Sequence, residues 1–278
     1  MIRATAVSGT WYADDPTRLA ADVDRYLRAA TLPPDLPRPR AVIAPHAGLM
    51  YSGPVAAFAY ALLPRASIRS IVLVGPSHFV PFTGVSLWGA GEWQTPFGAV
   101  AIDAGLAEAV RTECREIVDL PAAHRREHSL EMQLPFIAHL LPGVPIVPLV
   151  MGQQTRETAF ALGAALARVL RPNDSNDSNV PSVLLVASSD LSHYENATVA
   201  ARMDAIMVRH IESLDPEGLM TALEREPRHA CGGGPMVAVL SAARALGAST
   251  SRVLCYADSG DVSGDKSSVV GYLAAALW

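Results

Sequence analysis

Five short apolar runs punctuate the chain: Ala41–Ala44, residues 71–74, Ile146–Met151, residues 183–187 and residues 253–257. Short continuous apolar runs of this kind mark strands buried on both faces of a sheet. Between them, apolar positions recur at helical spacing. Leu19, Val23, Tyr26 and Leu27 predict a first amphipathic helix over Pro16–Ala29, with Asp15 as its cap. Further helices are predicted over residues 54–63, 104–114, 130–141, Arg156–Leu170, 198–213 and 235–246. This alternation implies an α/β fold with helices on both faces of a central sheet. Residues 85–88 and 99–102 flank a stretch containing Gly and Pro and read as a β-hairpin, which makes the sheet mixed. Residues 269–273 suit a last strand. The Pro-rich segment 31–40 is a linker into the sheet, and residues 173–179 (NDSNDSN) are a polar, exposed, low-complexity loop. No fixed-period repeat or composition shift divides the chain, so a single domain over residues 1–278 is expected.

Composition narrows the function classes. Hydrophobic residues make up 50% and charged residues 18%, which suits a globular core and not a disordered chain. The net charge of −5 and the thinly spread 22 Lys and Arg offer no groove for a nucleic acid. The longest apolar runs are far short of a membrane span, and the first residues lack the apolar core of a signal peptide. Three cysteines, Cys114, Cys231 and Cys255, are too few and too odd for a disulfide scaffold and suit a reducing cytoplasm.

The polar residues fall into a pattern that changes the picture further. Three predicted strands run directly into histidine-bearing loops: Pro45-His46-Ala47-Gly48, Gly75-Pro76-Ser77-His78 and Ser188-Ser189-Asp190-Leu191-Ser192-His193. Open α/β sheets bind ligands just beyond the carboxyl ends of their strands. One such histidine is more often a hydrogen-bonded loop residue; three at equivalent positions point to a site. Histidine there serves as acid/base or metal ligand. Metal is favoured for His46 and His78, which follow prolines and small residues that restrict the backbone. A third ligand is available in Cys231, followed by Gly232-Gly233-Gly234-Pro235, where the glycines permit a close backbone approach and Pro235 suits a first helical turn. A thiol near a helix N-terminus is expected to be more acidic. Cys231 reads equally well as a small buried residue in a tight turn. Asp190 is either a helix cap or the partner of an acid/base His193. His128 and Glu131, spaced i, i+3, either share a helix face that orients substrate or open an exposed helix. Asp258, Asp261, Asp265 and Lys266 follow a strand in a loop that is solvated by default and can serve as a lid. His139 and His210 read as helix-surface residues, His124 and His229 carry no strong context, and Cys114 and Cys255 read as structural. The chain carries no HExxH, P-loop, dinucleotide or GxSxG motif.

At this point the chain resembles the Memo family, also described as component B of the AmmeMemoRadiSam system. The matching blocks are Gly9-Thr10-Trp11-Tyr12, Ala44-Pro45-His46-Ala47-Gly48, Gly75-Pro76-Ser77-His78, Glu127-His128-Ser129-Leu130-Glu131-Met132-Gln133-Leu134-Pro135, Ser188-Ser189-Asp190-Leu191-Ser192-His193-Tyr194 and Ala230-Cys231-Gly232-Gly233. The resemblance implies a three-layer sandwich with a central mixed sheet, similar to the LigB-like class III extradiol dioxygenases. Those enzymes bind Fe(II) with two His and a carboxylate and use another His as acid/base. By motif, His46 and His78 match the metal-binding pair and His193 the acid/base, while Cys231 stands where the enzymes use a carboxylate. A thiolate is softer, so Cu and Zn compete with Fe. The family is associated with copper or iron and redox activity, and its eukaryotic members with phosphotyrosine peptides and cell motility.

The expectation is a cytoplasmic redox protein with one metal ion per chain, Fe or Cu favoured and Zn possible. It would be an oxidoreductase acting with O2 on a small molecule. His46, His78 and Cys231 would bind the metal, His193 would shuttle protons, and Asp190, His128 and Glu131 would orient ligands. The rivals are a non-catalytic site for a peptide or partner protein, and a zinc hydrolase.

Overall fold

The computed structural model describes residues 1–34, 36–63, 68–171 and 182–278. The chain runs β1 (Ile2–Arg3), α1 (Pro16–Ala29), β2 (Ala41–Ala44), α2 (Leu49–Tyr60), β3 (Ile68–Pro76), β4 (Val85–Leu87), β5 (Glu92–Thr95), β6 (Gly98–Ala101), α3 (Ala104–Glu113) and β7 (Ile117–Val118). It continues through α4 (Ala122–Arg125), α5 (Leu134–Leu140), β8 (Ile146–Met151), α6 (Arg156–Leu170), β9 (Ser182–Ser188) and β10 (His193–Glu195). The last elements are α7 (Ala197–Glu212), α8 (Pro216–Arg225), α9 (Gly233–Ala245), β11 (Ser251–Asp258), α10 (Gly260–Ser263) and β12 (Val269–Leu277).

The main sheet is nine-stranded and mixed, with the path β10-β12-β2-β9-β3-β8-β4-β7 and β11 paired to β12. Its centre, β2-β9-β3-β8, is parallel, and antiparallel strands flank it. Alternation along each central strand feeds two separate cores. Ala41 and Ile43 of β2 pack with residues of α3, α6 and α9 on one face. Val42 and Ala44 pack with α1, α2 and α5 on the other. The result is the expected three-layer α/β sandwich. Each fully buried aliphatic side chain contributes roughly 1.5–3 kcal/mol to holding these layers together.

The first helix begins and ends as predicted, because the Asp15 side chain accepts the Arg18 N–H and Pro16 preorganises the first turn. Other expectations need correction. Residues 85–88 and 99–102 do not form a hairpin with each other. Val85–Leu87 pairs antiparallel with β8 in the main sheet, and the hairpin joins β5 to β6 in a small sheet completed by β1. Residues 253–257 belong to β11, a partly exposed strand paired with β12, and not to a strand buried on both faces. The helix predicted from residue 54 starts at Leu49, with Pro54 inside its second turn. The helix predicted over 130–141 is a 3-10 turn, Glu131–Gln133, followed by α5. Helix α8 was not anticipated. The polar loop 173–179 lies outside the described residues. No helix among the described residues is long and apolar enough to cross a membrane.

Candidate metal centre

β2, β9 and β3 are adjacent and parallel, with Ala44 beside Ser188 and Val74 beside Ala187. Their carboxyl ends therefore deliver His46, the Ser189–His193 loop and His78 to one rim. Each side chain is held from behind. The His46 N–H donates to Asp190 Oδ1 at 2.7 Å, and its Nδ1 lies 2.9 Å from Ser188 Oγ. The His78 N–H donates to Glu127 Oε2 at 2.6 Å, and its Nδ1 lies 2.8 Å from Glu127 Oε1. His193 Nδ1 lies 2.8 Å from the Leu191 carbonyl. A carboxylate and a carbonyl only accept, so His78 and His193 donate from Nδ1, which directs Nε2 of each ring away from these partners.

Cys231 arrives from the turn that opens α9. Its N–H donates to the Asp190 carbonyl at 3.3 Å, and its carbonyl accepts from Gln154 Nε2 at 2.6 Å. Gly232 lets this turn touch the end of β9, since a Cβ there would land on the Ser188 carbonyl oxygen. Cys231 Sγ lies 3.2 Å from His46 Nε2 and accepts the Asp190 N–H at 3.3 Å. One ligand atom from each of His46, His78 and Cys231 lies within 4.8 Å of the others, and the same holds for Asp190, His193 and Cys231.

Electrostatics sharpen the picture. Burial, then the neighbouring His78, pushes the His46 pKa well down. Burial, then His46, lowers His128 to about 4. Burial, then the Asp190 carboxylate, pushes the Cys231 thiol well up, so the acidic thiol expected at a helix N-terminus needs correction. Asp190 is raised by burial too. Two imidazoles and a thiolate are a donor set for Zn, Cu or Fe. Glu127 is the exception. Burial pushes its carboxyl up, but donors from His78 and the Ser129 N–H outweigh burial and bring it down to about 2.

The sequence-derived residues divide. His46, His78, Cys231, Asp190, His193 and His128 do meet. His128 is buried, its ring stacked on His78 with centroids 4.4 Å apart and contacted by Trp11 at 4.4 Å, and its Nδ1 has no hydrogen-bond partner. Asp190 holds the His46 backbone instead of a His193 ring nitrogen. Glu131 needs correction as an orienting residue. It is fully buried, and its oxygens accept from Arg3 Nη1, the Ala6 and Val7 N–H groups and Tyr12 Oη. It anchors the N-terminal segment that carries Trp11. The carboxylate that holds a rim histidine is Glu127, through its two bonds to His78. The signal for it was available: a histidine ligand usually hands its second nitrogen to a carboxylate. His139 and His210 sit partly exposed with Asp24 and Asp215 as expected, and His124 and His229 are buried. Lys266 bridges Asp258 and Asp261 in the predicted loop. Tyr194 has φ 63°, a left-handed conformation that costs roughly 1–2 kcal/mol for a non-glycine residue, and stands exposed beside His193 where β10 bulges.

Fold and side-chain cluster define an α/β protein with a candidate His2Cys metal site at the carboxyl rim of a mixed sheet. The chain belongs to the Memo family: the family described as Memo-like protein matches residues 3–276. A MEMO1 family protein of Methanothermobacter thermautotrophicus is 40% identical over 280 residues, covering 98% of this chain and 99% of that protein. MEMO1 family proteins of Sulfolobus acidocaldarius and Methanopyrus kandleri are 38% and 37% identical, each over 99% of this chain and 98% of their own.

Proposed function

We propose that this chain is a metal-binding redox protein with one mononuclear non-haem centre held by His46, His78 and Cys231, acting as an oxidoreductase on a small substrate with O2. The observation that carries this reading is the convergence of two imidazoles and a thiol, with both imidazoles hydrogen-bonded from behind. Fe or Cu is favoured for redox chemistry, and Zn also suits the donors. A bound ion would supply Lewis-acid and electron-transfer chemistry. His193 holds or gives up a proton at Nε2, while Asp190 fixes the His46 backbone and the neighbouring thiol. His128 and Trp11 wall the pocket with flat surfaces. All three cysteines are free, which suits a reducing compartment such as the cytoplasm. Purified protein is expected to hold about one Fe or Cu per chain, and His46→Ala or Cys231→Ala to lose it. Elemental analysis finding no metal at micromolar free Fe or Cu overturns the reading.

A second reading, a non-catalytic peptide site, draws on the exposed rim residues Trp11 and Phe79, with Arg126 stacked over Phe79 at 5.3 Å. Phosphopeptide affinity that survives loss of the three ligands would favour it.

A further inference from the structure

Ser188 Oγ, at the end of β9, has three polar neighbours and almost no exposure. It donates to the Ser129 carbonyl at 2.6 Å, receives Gln133 Nε2 at 2.7 Å, and faces His46 Nδ1 at 2.9 Å. A hydroxyl has one hydrogen and two lone pairs. The Gln133 amide is oriented by its other partners: its nitrogen also donates to the Pro45 carbonyl at 3.1 Å, and its oxygen accepts from Tyr60 Oη at 2.7 Å. Flipping it would set an oxygen against the Pro45 carbonyl. Gln133 therefore fills one Ser188 lone pair, Ser129 takes the hydrogen, and one lone pair is left.

We infer that Ser188 is a positioning residue: it fixes His46 as the Nδ1–H tautomer and so keeps the Nε2 lone pair facing Cys231. The other tautomer would need the Ser188 hydrogen, and would leave the buried Ser129 carbonyl without its donor. It would also aim an N–H at the thiol, 3.2 Å away. The relay is uncharged throughout, unlike the Glu127 carboxylate behind His78. His46 is the more deeply buried of the two, and a second carboxylate behind it would have to be desolvated there. Ser188 thus does with a neutral network what Glu127 does with a charge. Ser129 belongs to both arrangements, since its N–H donates to Glu127 Oε1 and its Oγ to the Pro76 carbonyl.

The tautomer holds for the metal-free chain. Its consequence for metal affinity rests on the proposed metal reading. The test is long-range 15N–1H NMR of the histidine rings in metal-free full-length protein at neutral pH, with zinc titration of the same samples against a competing chelator. His46 is expected to show a protonated Nδ1 and a free Nε2 in the wild type. Ser188→Ala should move it toward the other tautomer while His78 and His193 keep theirs, Ser188→Thr should restore it, and Gln133→Leu should leave it unchanged. Zinc affinity should fall roughly 10–100-fold in Ser188→Ala. A wild-type His46 protonated on Nε2 overturns the inference, and so does an unchanged tautomer in a folded Ser188→Ala. The wild-type spectrum decides even where variants fail to fold. Wild-type protein that takes up no metal but shows the expected tautomer sinks the metal reading and leaves the tautomer assignment standing.

Discussion

Glu127→Gln isolates the part of the site that a static contact count would undervalue. The carboxylate is almost fully buried and accepts four N–H bonds: His78 Nδ1 at 2.8 Å, the His128 N–H at 2.9 Å and the Ser129 N–H at 2.8 Å on Oε1, and the His78 N–H at 2.6 Å on Oε2. An amide accepts on one side only. Its oxygen can keep the three-donor position, and then its NH2 confronts the His78 N–H. Leaving that buried donor unpaired costs about 1–3 kcal/mol, and replacing charged by neutral acceptors weakens the others by roughly 1 kcal/mol each at most. Since such effects do not add fully, the expected loss is about 2–4 kcal/mol in urea unfolding. Metal affinity should fall roughly 10–100-fold in addition, because the neutral amide oxygen keeps the His78 Nδ1–H bond but no longer raises the basicity of the ring as the carboxylate does. Glu131→Gln supplies the contrast. It breaks a buried ion pair with Arg3 at 2.7 Å and should destabilise by a similar or larger amount, yet leave metal affinity unchanged. Equal affinity losses in the two variants would refute the division of labour between these carboxylates. So would a Glu127→Gln protein within about 0.5 kcal/mol of wild type.

The low pKa of Glu127 sets a pH window. Its carboxyl is held at about 2 in the folded chain against an ordinary 4.5, so the stability it adds is complete above pH 4.5 and lost as pH falls toward 2. The stability difference between wild type and Glu127→Gln should therefore shrink on acidification through that range; a growing difference contradicts the assignment. Cys231→Ser replaces a soft donor by a hard one and should cost more affinity for Cu(I) and Zn(II) than for Mn(II), read by competitive chelation; an equal loss for all three would mean the thiol is not a ligand. Gly271→Ala puts a Cβ onto Asp204 Oδ2, while Asp204 holds the Ser192 N–H at 3.0 Å and Tyr256 Oη at 2.8 Å behind the His193 loop. A loss of about 1–3 kcal/mol in thermal or urea unfolding is expected, and a neutral outcome would show that the loop yields freely.

The layered α/β architecture and the rim histidines were legible because they rest on local patterns. Continuous apolar runs gave β2 and β8 with their boundaries and β3 and β9 to within three residues, which placed His46 and His78 just past strand ends, while His193 opens β10 five residues beyond β9. Strand order was not legible. The hairpin misassignment shows why: Val85–Leu87 finds its partner in β8, some sixty residues on, and no local turn signal encodes that. The reading of Glu131 as an orienting residue failed for a related reason. The i, i+3 argument assumed a helix at residue 128, but the chain is irregular there and turns into its 3-10 segment only at Glu131. The two carboxylates then face different partners, the His78 loop for one and the N-terminal segment for the other. The Ser188–Gln133 relay joins residues 55 positions apart and leaves no periodic trace at all.

The central claim is a single metal ion bounded by His46, His78 and Cys231. Crystals of anaerobically purified protein, with anomalous difference maps collected at the Fe, Cu and Zn edges, test it most directly. The account predicts one peak per chain, ligated by His46 Nε2, His78 Nε2 and Cys231 Sγ, and absent from His46→Ala crystals. A peak elsewhere, or none in protein supplied with metal, would contradict it.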